Sequence, residues 1–137
     1  MSPNEELARN LVEALNCQDW PAIASLVSSD FEWHTPKEGS VVGGQILRGV
    51  AGLQAFWEGD ISDSWDLSQS RDEIEEAFDV GPDRLVARWR SYDVGRSSGV
   101  MVEHGGGVIL DFRDHKIRRV RVYRSAEVAL KQVGLLE

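Results

Sequence analysis

The chain has 137 residues, enough to bury roughly two thirds of the surface that its unfolded form exposes, and nothing in its composition calls for a staple. Its 15 basic and 23 acidic residues leave a formal charge of -8, which repels phosphate backbones and anionic lipid, so neither nucleic acid nor a membrane surface is an expected partner. Cys17 is the single cysteine, the stretch MSPNEELARNL has no basic region followed by an apolar run, and no run of about 18 apolar residues occurs; a cytoplasmic setting and one domain over residues 1–137 are expected.

Ser2-Pro3-Asn4-Glu5 reads as a capping box that starts a helix, with the serine oxygen accepting from the Glu5 N–H and the glutamate returning a bond. Leu7, Leu11, Val12 and Leu15 form its apolar stripe, and Asn16 closes it. Asp19 caps a second, short helix through Ala22, Ile23 and Leu26. Phe31-Glu-Trp-His-Thr35 alternates and stops at Pro36, which puts Phe31, Trp33 and Thr35 on one face of a strand and Glu32 and His34 on the other. Glu38 to Gly44 reads as a loop. Val50, Leu53, Phe56, Trp57 and Ile61 then recur with helical period over about residues 49–62.

From there the pattern is β-rich. Arg71 to Val80, Arg84 to Tyr92, Val100 to Phe112 and Lys116 to Tyr123 alternate and are separated by short turns, as in an antiparallel meander. Ser125 to Val133 reads as a closing helix with Gly134 at its cap. The fold class predicted is α+β: a curved antiparallel sheet forming a cone, with helices packed on its concave face.

The EWHTP strand, the GLQAFW helix, the long meander, the DHKIRRVRVY strand and the ending SAEVALKQVGL together resemble the SnoaL-like branch of the nuclear transport factor 2-like superfamily. The resemblance implies a cystatin-like cone with a deep apolar pocket, and commonly a homodimer through the sheet. It spans ketosteroid isomerases, polyketide cyclases, dehydratases and epoxide hydrolases, and also non-catalytic binding and dimerisation domains. Laid on the ketosteroid isomerase pattern, the general-base aspartate falls on Thr35, the donor tyrosine on Leu11 and the neutral acid near Val108. Threonine cannot abstract a carbon-bound proton near neutral pH, so that mechanism has no residues to run on. In cyclase-like relatives an acid on the last strand commonly supplies the base, where this chain has Arg118.

Carrying the strand parity through puts Leu85, Ala87, Trp89, Val100, Val102, His104, Val108, Leu110 and Phe112 inward, with Arg118, Val120 and Val122 on the last strand. The polar exceptions on that greasy face are His104, Arg118 and Glu76. His104 is the expected acid/base, Arg118 the partner of an oxyanion, and Glu76 the residue that orients one of them. Leu11, Trp33, Thr35, Phe56, Trp57, Trp89, Val108, Leu110 and Val120 are expected to line the pocket. Trp20 and Trp65 read as peripheral, and His34 points away.

The opposite face holds Arg88, Arg90, Tyr92, Glu103, Asp111, Arg119, Arg121 and Tyr123, either a solvated face laced with ion pairs or a polar dimer interface. Three histidines at 34, 104 and 115 have no metal-ligand spacing, and no cofactor is expected. Glycines 105–107 weaken the ladder but leave room beside the imidazole and permit a bend. The expected function is binding of a small hydrophobic molecule with a polar or anionic group, by an isomerase, cyclase, dehydratase or hydrolase, or by a non-catalytic ligand-binding or dimerisation domain.

Overall fold

The computed structural model describes residues 1–37 and 44–135; most of the loop read between Glu38 and Gly44 lies outside them. Helix α1 (Pro3–Asn16) begins at Ser2, whose Oγ accepts from the Glu5 N–H at 3.1 Å. The Glu5 carboxylate does not return the bond but takes Arg9 Nε at 2.9 Å, one turn further along the helix. Helix α2 (Trp20–Leu26) starts where Asp19 Oδ1 accepts from the Ala22 N–H at 3.2 Å. The third helical pattern is broken into α3 (Gly49–Phe56), a π turn (Trp57–Ile61) and α4 (Ser62–Ser64). Helix α5 (Ala126–Gln132) closes the described chain.

Among the described residues six strands, β1 (Val27–His34), β2 (Ile46–Arg48), β3 (Arg71–Asp79), β4 (Arg84–Val94), β5 (Met101–Arg113) and β6 (Lys116–Tyr123), form one sheet in the order β2-β1-β6-β5-β4-β3. All pairs are antiparallel except β1 with β6, which run parallel. The three-residue β2 carries too short a pattern to be seen in the sequence. Asp114 and His115 both take positive φ, 52° and 61°, and make the tight turn between β5 and β6.

Leu11 and Leu15 of α1, Ile23 of α2 and Leu53 of α3 pack onto Phe31, Leu85, Leu110, Phe112, Ile117 and Val120 of the concave face. Each such fully buried side chain contributes about 1.5–3 kcal/mol. Helix α5 lies on the other face, where Ala129 is buried against Val86 and Ile109. No helix among the described residues is long and apolar enough to cross a membrane.

Two β-bulges alter the parity read from the sequence. In β6 the pairing with β5 steps from Phe112–Ile117 to Asp111–Arg119, leaving Arg118 as the extra residue. Ile117 and Val120 are both core residues, and Arg118 and Arg119 between them both turn outward, to Asp30 and Asp111. Arg118 is therefore not on the concave face as expected. In β3 the pairing steps from Ile74–Trp89 to Glu76–Arg88, with Glu75 as the extra residue. Glu76 is exposed opposite Arg88, and Ala77 takes the inward place next after Ile74. The expected contact of Glu76 with Arg118 does not exist, and Phe78, half exposed, faces out as well.

Candidate functional site

Between α1, the stretch from α3 to β3 and the concave sheet lies a cavity of about 440 Å³. Leu11, Val108, Leu110 and Val120 border it, and Phe56, Trp57 and Trp33 form another wall, with Trp33 and Trp57 edge to face at 6.1 Å. The π turn holds the phase that brings Phe56, Trp57, Ile61 and then Trp65 to the cavity. Trp89 and Thr35 also border it; the Thr35 Oγ1 accepts from the Gln45 N–H at 2.7 Å and is occupied in fastening the chain there. Trp20 packs against the core and does not reach the cavity, whereas Trp65 does.

Four polar side chains from β3, β4 and β5 meet on the cavity wall: Asp72, Ser91, Asp93 and His104. Their convergence follows from the ladder, since Asp72 pairs with Ser91, Ser91 with His104, and Asp93 is one inward position beyond Ser91. His104 Nε2 lies 2.6 Å from Asp93 Oδ2. That bond sets the proton of the neutral ring on Nε2 and leaves the Nδ1 lone pair as its base. Ser91, itself buried, donates to Asp72 Oδ1. Burial pushes the Asp72 carboxyl above the usual aspartate range, and Asp93 beside it pushes the same way, while the Ser91 hydrogen bond and His104 act against them.

The backbone of Asp72 is fixed by Asn16 at the end of α1, which accepts from the Asp72 N–H and donates to its carbonyl, both at 2.8 Å. His104 is held between two indoles: Trp65 stacks on it at 6.4 Å with planes 22° apart, and Trp89 meets it edge-on at 5.5 Å. Trp89 Nε1 in turn donates to the Gly107 carbonyl at 2.9 Å. The glycine run makes this possible. A Cβ on Gly106 would lie 2.1 Å from the Tyr123 carbonyl oxygen and 2.9 Å from the Trp89 ring, and one on Gly107 would meet Ala129 of α5 at 2.6 Å. The space beside the imidazole is thus taken by tryptophan.

The sequence reading brought His104 to this group and missed Asp72, Ser91, Asp93 and Trp65. Three of the four were within reach. The parity that turns Ile74 inward also turns Asp72 inward, and continuing Leu85, Ala87, Trp89 gives Ser91 and then Asp93, which lies one residue beyond the expected strand end at Tyr92. Trp65 lies past the π turn, whose extra residue per turn no helical period predicts.

A sequence profile of the SnoaL-like domain matches residues 8–120. The chain belongs to the SnoaL-like family. Among curated proteins none matches it in sequence. Solved structures share its fold. TerC co-crystallised with polyporic acid has a TM-score of 0.74 at 22% identity, over 96% of this chain and 98% of that one. RV0760c from Mycobacterium tuberculosis in complex with estradiol-17β-hemisuccinate has a TM-score of 0.72 at 18% identity, over 89% and 93%. The Δ5-3-ketosteroid isomerase from Mycobacterium sp. has a TM-score of 0.70 at 19% identity, over 90% and 93%.

Proposed function

We propose that this SnoaL-like chain binds a small, largely apolar molecule bearing a polar or anionic oxygen, and moves a proton on it as an isomerase, cyclase, dehydratase or hydrolase. The observation that carries the reading is the placement of Asp72–Ser91 and Asp93–His104 side by side on the wall of a cavity whose other borders include Leu11, Phe56, Trp57, Val108, Leu110 and Val120. Burial favours the protonated form of the Asp72 carboxyl, the form that donates to a ligand oxygen, and an imidazole whose Nε2 is engaged by Asp93 accepts a proton at Nδ1. The indoles of Trp65 and Trp89 beside His104 strengthen its interactions by excluding water. Arg118 has no part in this scheme. The ligands named with two neighbours, estradiol-17β-hemisuccinate and polyporic acid, suit the proposal as probes, being ring systems with acidic or carbonyl oxygens.

A second reading, a non-catalytic ligand-binding or dimerisation domain, is favoured by one observation: Ser91 satisfies Asp72 and Asp93 satisfies His104 with no ligand needed. In either reading the homodimer implied by the resemblance forms through the outer face of β3 to β6 that α5 leaves uncovered. Titration of intrinsic tryptophan fluorescence with the two probes tests binding; saturable quenching is expected, weakened by about tenfold or more in Asp72→Asn and His104→Gln. Exchange of deuterium from D2O into a third probe, a steroid ketone with an acidic carbon beside its carbonyl, then separates the readings. Exchange lost in His104→Gln supports the enzyme, binding without exchange supports the second reading, and no binding of any probe sinks both ligand roles.

A further inference from the structure

Trp65 reaches His104 from a wall that is fastened at a point outside the cavity. The α4 segment is a final helical turn, whose carbonyls have no partners further along the helix. The loop after β4 supplies them. The Arg96 N–H donates to the Ser64 carbonyl at 3.0 Å, and its guanidinium reaches the Ser62 carbonyl with Nε at 2.5 Å, the Ser62 Oγ with Nη2 at 3.1 Å and the Trp65 carbonyl at 3.4 Å. Trp65 forms an isolated bridge with Gly95, and the Asp66 N–H donates to the Val94 carbonyl at 2.8 Å. Arg96 and Ser62 do not border the cavity; Trp65 does.

We propose that Arg96 is a positioning residue, which sets the Trp65 indole against His104 and thereby fixes the orientation of the imidazole toward the cavity. A guanidinium presents a rigid fork of donors that can serve several carbonyls at once, which an ammonium cannot. Without the guanidinium the Ser62 and Trp65 carbonyls lose their partner, and the stacking distance is held from the α4 side only by the backbone bonds of Trp65 N–H to Ile61 and of Arg96 N–H to Ser64, beside the bridge to Gly95 and the Asp66 bond. The effect on a ligand rests on the function proposed above; the effect on the packing does not.

The test therefore has one arm without ligand. The ring-proton resonances of His104 in the unliganded protein report the stacked indole, and Trp65→Leu gives their position when it is absent. Arg96→Ala is expected to move them most of the way to that position, and Arg96→Lys part of the way. In the second arm, affinity for estradiol-17β-hemisuccinate falls on the order of tenfold in Arg96→Ala and in Trp65→Leu, and the double variant loses no more than Trp65→Leu alone. Unmoved His104 resonances in a folded Arg96→Ala protein, or losses that add in the double variant, would overturn the proposal. Should Arg96→Ala not fold, unmoved resonances in Arg96→Lys overturn it equally. If the unsubstituted protein binds no probe, the ligand reading fails and the resonance arm decides the role of Arg96 by itself.

Discussion

At Asp72 burial and the neighbouring Asp93 oppose ionisation, so the folded protein holds this proton to a higher pH than the unfolded chain does. The sign of the consequence is fixed by linkage. Below the ordinary aspartate range both states are protonated, and Asp72 costs nothing; as pH rises from that range through the raised native value, the unfolded state gives up its proton first and stability falls. Urea unfolding between about pH 4 and 8 should show this downward contribution in the unsubstituted protein and its absence in Asp72→Asn. Asp111 acts in the other sense. Burial raises it, but Arg84, Arg119 and Arg121 outweigh that and hold it below the usual range, so its contribution is present above that range and lost on acidification. Arg118 and Glu76 supply a contrast between pattern and place: both were read as inward from alternation, and both face out. Arg118→Ala and Glu76→Ala should each leave probe affinity within about twofold in the fluorescence titration, since neither residue borders the cavity.

Alternation gave the strands of the meander to within two residues and placed His104, yet it assumes an unbroken two-residue period. Arg118 and Glu76 each lie at or beside one extra residue, Arg118 in β6 and Glu75 in β3, whereas Val100 and Val102, also expected inward, are exposed where β5 runs out beyond the core. A bulge is set by how a strand must bend against its neighbour, a demand of the assembled sheet that composition does not carry. Glycines 105–107 were legible as a place where the ladder yields; that their missing side chains admit Trp89, the Tyr123 backbone and α5 was not. Gly106→Ala tests that role. Its methyl group meets backbone at 2.1 Å, so a loss of about 1–3 kcal/mol is expected, read as a lower urea midpoint at unchanged slope.

Across the whole molecule, the α+β cone was legible because amphipathic helices and strands agreed on one interior, while the mouth of the cavity was not, because π turn, loop and hairpin meet there without a common period. The outer face carries a lattice of ion pairs, with Arg90 between Glu75 and Glu103 and Asp111 among three arginines. If this surface joins two copies, sedimentation equilibrium should give twice the chain mass of 15.3 kDa, and reversal of Arg90 to Glu should yield the monomer. The monomer alone in the unsubstituted protein would leave the face solvated. Both sheet edges are poor templates for further strands: β2 is three residues long, and β3 carries Glu73, Glu75, Glu76 and a bulge.

The parallel pairing of β1 with β6 has a kinetic consequence. The β3-β4-β5 meander needs only neighbours in the chain to form, but β1 and β2 are joined to it solely through β6, so the first two strands wait for one made some ninety residues later, Val27 pairing with Ile117. Folding should therefore be slow for a chain of this length, with its rate limited by closing that long loop. During synthesis α1 can dock on β3 through Asn16 and Asp72, but Phe31 and the rest of β1 remain without their sheet until Lys116 to Tyr123 has emerged from the ribosome, and chains halted before that point should be captured by chaperones rather than fold.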